Sequence, residues 1–215
     1  MTNPNSTYIG LILDRSYSMH SIGPELVESL NGYIEEQKKA DGEAIISIMQ
    51  FDEPGQHEYL VENANLKEVS KITGYRPRGS TALYDAIIYF FDKTGKYLAS
   101  LREEDRPATV VITVMTDGEN NSSENTIQRV NEVINHQVDK YNWVVNYLGV
   151  SELGKTEARN MGIKNVIATN YASAESTEAT FKNLSRDTVK LRSQKGNYSA
   201  AESFTTRSDY STVED

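Results

Sequence analysis

The feature that most limits how this chain can fold is the alternation of two hydrophobic periods along it. Short apolar runs rich in β-branched residues fall at Tyr8 to Leu13, Ala44 to Phe51, Ala108 to Met115, Trp143 to Val150 and Asn165 to Ala168. Each reads as a strand. Between them apolar residues recur at helical spacing: Leu26, Leu30, Tyr33 and Ile34, then Leu83, Ala86, Ile87 and Phe90, then Ile127, Val130 and Val133 or Ile134. Strands apolar on both faces and separated by helices predict an α/β fold, with a mostly parallel central sheet of about six strands and helices on both faces. Gln56 to Val61 follows the turn-like Asp52-Glu53-Pro54-Gly55 too closely for a crossover, so it is expected as one antiparallel edge strand. Phe181, Leu184, Thr188 and Leu191 predict a last helix over about Ser176 to Arg192.

A length of 215 residues suits one domain. Residues 1–195 are read as that domain and 196–215 as an acidic, Ser/Thr-rich flexible tail. The tail has seven Ser or Thr and four acids (Glu202, Asp209, Glu214, Asp215) against Arg207, a composition that cannot bury enough to fold alone. The absence of cysteine excludes a disulfide framework, a thiolate zinc site and a cysteine nucleophile. Any metal must therefore sit on oxygen or histidine. With 22 Lys and Arg against 31 Asp and Glu, the net charge of -9 opposes contact with a phosphate backbone, and no nucleic-acid partner is expected. No apolar run reaches membrane-spanning length and the start lacks a basic, leader-like segment, so the expectation is a cytoplasmic protein with no membrane partner.

The chemistry concentrates at strand ends. The first strand leads into Asp14-Arg15-Ser16-Tyr17-Ser18, with three short oxygen-bearing side chains at alternate positions. Thr116-Asp117-Gly118 closes the strand Ala108 to Met115, and Gly79-Ser80-Thr81 follows Arg76-Pro77-Arg78 and opens the next helix. Taken singly, each is an ordinary turn or cap. In open α/β sheets, however, ligands bind at the carboxyl ends of strands, where the three loops could meet. Two carboxylates and three hydroxyls are hard donors suited to a small divalent cation that keeps several waters, Mg2+ or Mn2+.

The set Asp14, Ser16, Ser18, Thr81 and Asp117 resembles the metal-ion-dependent adhesion site of von Willebrand factor A domains: D-x-S-x-S, a distant Thr in a Gly-rich loop, then an Asp after a later strand. Gly79-Ser80-Thr81-Ala82-Leu83-Tyr84-Asp85-Ala86-Ile87 is similar to the G-x-T-x-L-x-D-A segment of bacterial members, and the likeness extends over about residues 6–193. It implies a three-layer, Rossmann-like fold. It also implies that Ser16, Ser18 and Thr81 ligate the ion directly while Asp14 and Asp117 act through water. A coordination position left open would take an Asp or Glu carboxylate from a partner protein, or one from the chain's own acidic tail, so the resemblance implies a binding module and no enzyme activity. Tyr17 departs from the small residue common in the family and would narrow or line the mouth of the site. Asp85 reads as a hydrogen-bond partner at the helix start.

A second reading comes from Gly149-Val150-Ser151-Glu152-Leu153-Gly154-Lys155-Thr156, which matches the nucleotide-binding expression G-x-x-x-x-G-K-[ST] over residues 149–156. Glu152 puts a carboxylate where phosphates would sit, and the next strand has no Asp for a metal, so the segment reads better as a strand-to-helix loop with an N-cap. Phosphatase chemistry on Asp14 would need an acid two residues on, where Ser16 stands. His20, His57 and His136 are too scattered to suggest a ligand cluster.

Overall fold

In the computed structural model, which describes residues 1–171, 173–198 and 210, the apolar runs form strands β1 (Asn3–Asp14), β2 (Glu43–Phe51), β3 (His57–Asn65), β4 (Pro107–Thr116), β5 (Val144–Gly149) and β6 (Asn165–Ala168). The helices are α1 (Gly23–Lys39), α2 (Leu83–Ser100), α3 (Ile127–Tyr141), α4 (Glu152–Asn160) and α5 (Ala174–Ser193). The sheet order is β3-β2-β1-β4-β5-β6. Every neighbouring pair is parallel except β2 with β3.

Alternate residues of each strand serve two cores. Ile9, Leu11 and Leu13 of β1 meet Leu26, Leu30 and Ile34 of α1 and Phe181, Leu184 and Leu191 of α5 on one face. Tyr8 and Ile12 turn to the other, where Leu83, Ile87 and Phe90 of α2 and Val130 and Ile134 of α3 cover them. Gly10 makes the second packing possible. A β-carbon there would lie 2.5 Å from Ile112 Cδ1 and 2.7 Å from the Phe90 ring, so α2 settles on β1 at a distance only glycine permits.

Three of the helix starts follow local chemistry. Pro24 stands in the first turn of α1, Thr126 caps α3, and Ser173 and Ser176 form a reciprocal cap on α5. The edge strand β3 is longer than its sequence pattern suggests and reaches Asn65. Two register irregularities against β2 and the left-handed Asn63 (φ 48°) break the alternation a sequence reader would follow. Of the tail, Gly196 to Tyr198 and Tyr210 are described. Tyr210 is buried, and its amide donates to the Ala168 carbonyl at 2.9 Å. The flexible-tail expectation otherwise falls on 199–209 and 211–215, outside the described residues. Among the described residues no helix is long and apolar enough to cross a membrane.

Candidate metal centre

The order in which strands are laid down reverses between the parallel neighbours β1 and β4: the strands following β1 build toward one edge and those following β4 toward the other. Such a switch point leaves a crevice beyond the carboxyl ends of its two strands. Leu13 pairs with Met115, so Asp14, the last residue of β1, and Asp117, just beyond β4, emerge side by side there.

Asp14 turns the chain out of the sheet. Its Oδ1 accepts the Ser16 amide at 2.6 Å, an Asx-type turn, and its Oδ2 accepts the Thr116 hydroxyl at 2.6 Å. Ser16 Oγ lies 3.0 Å from Ser18 Oγ, and the Ser18 hydroxyl donates to Asp117 Oδ1 at 2.9 Å. One hydrogen-bonded run thus joins Asp14, Ser16, Ser18 and Asp117. Thr81 arrives through its backbone. Its amide donates to Asn121 Oδ1 at 2.9 Å and its carbonyl accepts the Asn121 amide at 3.0 Å, fixing it to the loop after Asp117. The same segment meets the first loop where the Tyr17 amide donates to the carbonyl of Gly79, a left-handed residue (φ +68°), at 3.2 Å.

The electrostatics are unusual for two acids so close together. Burial pushes the Asp14 carboxyl up to about 6, against the hydrogen bonds from Thr116 and Ser16, and the Asp117 charge adds to the rise. Burial raises Asp117 as well, partly offset by Ser18. Among the described residues neither carboxylate has an ion-pair partner, since the adjacent Arg15 points away to Asp52 and Glu58. A buried carboxylate such as Asp14, with the half-buried Asp117 beside it, is costly unless a proton or a cation neutralises it. The donors are hard oxygens, hydroxyl-rich, with no cluster of three or more His, Asp or Glu among the described residues. That chemistry fits a small divalent cation.

Several residues in this arrangement escaped the sequence reading. Thr116 orients Asp14, the Tyr75 hydroxyl donates to the Asp14 carbonyl at 2.5 Å, and Asn121 holds Thr81. Thr116 adjoins Asp117 and Asn121 lies in the polar run after it, but nothing in the sequence pairs either with its distant partner. Asp85 accepts the Glu124 and Asn125 amides at 2.9 Å each, pinning the loop beyond Asp117 to the start of α2. Tyr17 is 72% exposed and stacks on His20 with ring centroids 5.9 Å apart.

The nucleotide-binding expression resolves into helix-start chemistry. Only Val150 and Ser151 separate β5 from α4, and the Ser151 hydroxyl oxygen accepts the Gly154 amide at 2.8 Å. Lys155 pairs with Glu152 at 2.7 Å and the Thr156 hydroxyl donates to the Glu152 carbonyl at 2.9 Å. The groups that would hold phosphate are engaged within the helix. His20 and His57 stack on Tyr17 and Tyr89, His136 meets Tyr141 edge-on, and the three form no cluster.

A doubly wound α/β sheet with an oxygen-rich cluster at its switch point defines the structural class, and solved structures narrow it. No protein-family model matches the chain, and no curated protein matches it in sequence. A von Willebrand factor type A protein from Catenulispora acidiphila is similar, with TM-score 0.61 and 14% identity over 87% of this chain and 43% of that one. So is proximal thread matrix protein 1 from the mussel byssus, described with a zinc-occupied MIDAS motif, with TM-score 0.62 and 15% identity over 86% of this chain and 48% of that one. Manganese-loaded Plasmodium vivax TRAP protein gives TM-score 0.55 and 16% identity over 84% of this chain and 74% of that one. The chain has the von Willebrand factor A fold, and it spans less than half the length of the Catenulispora and mussel proteins.

Proposed function

We propose that this chain is a divalent-cation-dependent protein-binding module and not an enzyme. The Ser16, Ser18 and Thr81 hydroxyls with the Asp14 and Asp117 carboxylates would hold Mg2+ or Mn2+. The observation that carries the reading is the hydrogen-bonded run from Asp14 to Asp117, in which two desolvated carboxylates meet with no cationic side chain paired to them among the described residues. When bound, the cation supplies a Lewis-acid position that takes an Asp or Glu carboxylate from a partner protein. Three of the five donors are neutral, which leaves that position attractive to an anion.

The chain's own residues do the rest. Thr116 and the Ser16 amide fix the Asp14 carboxylate, and Asn121 fixes the Thr81 backbone. Tyr17 and Val150, just beyond β1 and β5, and Leu153, in the first turn of α4, are exposed large hydrophobic side chains, and they give the rim apolar area. With a net charge of -9, the chain as a whole favours a partner whose one acidic residue stands in a neutral or basic surface. The manganese in TRAP and the zinc-occupied MIDAS motif of the mussel protein support the metal reading by likeness of fold.

Calorimetric titration with Mn2+, followed by pull-down in Mg2+ or in EDTA, tests the proposal. The parent should bind Mn2+ and retain its partner in Mg2+ alone, and an Asp14→Ala, Ser16→Ala double variant should do neither. Equal partner retention by parent and variant in both buffers refutes it.

A further inference from the structure

Between the short 3-10 turn Leu66–Glu68 and α2 runs a long segment, residues 69–82, without regular structure, and Thr81 stands near its end. Long irregular segments inside compact domains are uncommon and need specific anchors. The anchor next to Thr81 is Asp52, the residue after β2, which the sequence presents as part of a turn. Asp52 is 1% exposed. Its Oδ2 accepts Nε of Arg15 at 2.8 Å and Nε of Arg78 at 2.7 Å, and its Oδ1 accepts the Glu53 amide at 2.6 Å. Its backbone carbonyl accepts the Ala82 amide at 2.7 Å. A further backbone bond, Arg78 amide to Arg15 carbonyl at 2.7 Å, closes the ring.

We infer that Asp52, with Arg15 and Arg78, is a positioning unit that sets where Thr81 stands relative to Ser16 and Ser18 and thereby sets the metal affinity of the centre. The inference rests on the metal reading proposed above. Its geometry is specific. Arg15 lies between Asp14 and Ser16 in sequence, is 4% exposed, and sends its guanidinium away from them to Asp52 and Glu58. Asp52 is thereby bonded to the loop that carries the two serines and, on either side of Thr81, to Arg78 and Ala82. Burial works against the Asp52 charge, but the Arg78 hydrogen bond, the Glu53 amide and the two guanidinium charges outweigh it, so the carboxylate stays ionised well into acid. An ionised hub accepting several hydrogen bonds at 2.6 to 2.8 Å is a stiff joint.

Arg78 is the residue to change, because its side chain is 59% exposed and its loss leaves the core untouched. Electrostatics alone and positioning predict opposite signs. Removing a positive charge near a cation site strengthens cation binding if charge is all that matters, whereas loosening the Thr81 loop weakens it. Full-length parent, Arg78→Gln and Arg76→Gln are titrated with Mn2+ by calorimetry, and amide hydrogen exchange is followed without metal. Arg78→Gln should bind Mn2+ about tenfold more weakly, the scale of lost outer-shell support, and should speed exchange at Arg78 and Ala82. Arg76→Gln, which removes the same charge from the same loop, should bind at least as tightly as the parent. Combining Arg78→Gln with Asp52→Asn should cost little beyond Asp52→Asn alone. A parent that binds Mn2+ while Arg78→Gln binds as well or better overturns the inference and leaves the metal reading intact. A parent that binds no Mn2+ removes both.

Discussion

Asp14→Asn should stabilise the metal-free protein, although it alters the centre of the proposed site. Folding moves the Asp14 pKa from its ordinary 3.8 to about 6. Between these values the folded chain holds a proton that the unfolded chain has released, so stability falls as pH rises through that window and the full cost is present by pH 7. A shift of that size is worth about 3 kcal/mol. The asparagine keeps the geometry. Its oxygen can accept the Ser16 amide as Asp14 does, and its Nδ2 can donate to Thr116 Oγ1, whose proton can turn to the Gly118 carbonyl 3.2 Å away. Urea denaturation in EDTA from pH 4 to 7.5 should show the parent losing up to about 3 kcal/mol relative to Asp14→Asn, with the curves meeting near pH 4. Mg2+ should then raise the parent midpoint at pH 7 and leave the variant unmoved. If Asp14→Asn is less stable than the parent at pH 7 in EDTA, Asp14 is not an uncompensated buried acid and the electrostatic case for a cation fails.

Gly10→Ala places a methyl group 2.5 Å from Ile112 Cδ1 between fully buried neighbours and should cost roughly 1 to 3 kcal/mol, read from the urea midpoint; an unchanged midpoint would show that α2 can lift from β1 freely. Fluorescent ATP and GTP analogues should bind neither the parent nor Lys155→Ala, because Lys155 is paired to Glu152 inside α4. Saturable binding lost in Lys155→Ala would overturn that.

Much of the fold was legible because each buried strand of a parallel sheet carries its own signal. The runs around Ile9, Ile46, Val111 and Val145 are apolar on both faces because both faces are covered. The edge strand β3 has no such cover, so its pattern is diluted by the exposed Glu58 and Glu62 and broken at Asn63, and its far half could not be read. The candidate site was legible to the extent that its residues sit at fixed sequence offsets from strand ends, as Asp14, Ser16, Ser18 and Asp117 do. Thr81 was legible through the short glycine-led run around it. What could not be read is the support, because Asp52 with Arg78, Asn121 with Thr81 and Tyr75 with Asp14 are pairings fixed by tertiary geometry. Asp52 in Asp52-Glu53-Pro54-Gly55 is what a turn would contain in any case.

The departures from a stability optimum are not scattered evenly over the molecule. The carboxyl edge at the switch point holds a wholly buried carboxylate with a raised pKa, a second one beside it, and a long segment without regular structure. It also displays Tyr17 and Leu153, 72% and 68% exposed. The buried carboxylate in particular costs folding free energy, and the opposite edge shows no comparable pair of neighbouring acids, one buried and one half-buried, among the described residues. Arg192, near that opposite edge, is the instructive contrast. It too is a buried charge without a salt bridge among the described residues, but its guanidinium donates to the Gln37 carbonyl at 2.7 Å and the Gly42 carbonyl at 3.3 Å, closing off backbone groups just around the end of α1. That burial is explained by the fold. Among the described residues nothing of opposite charge balances the Asp14 and Asp117 pair, and a divalent cation is the group whose charge and oxygen preference would do so.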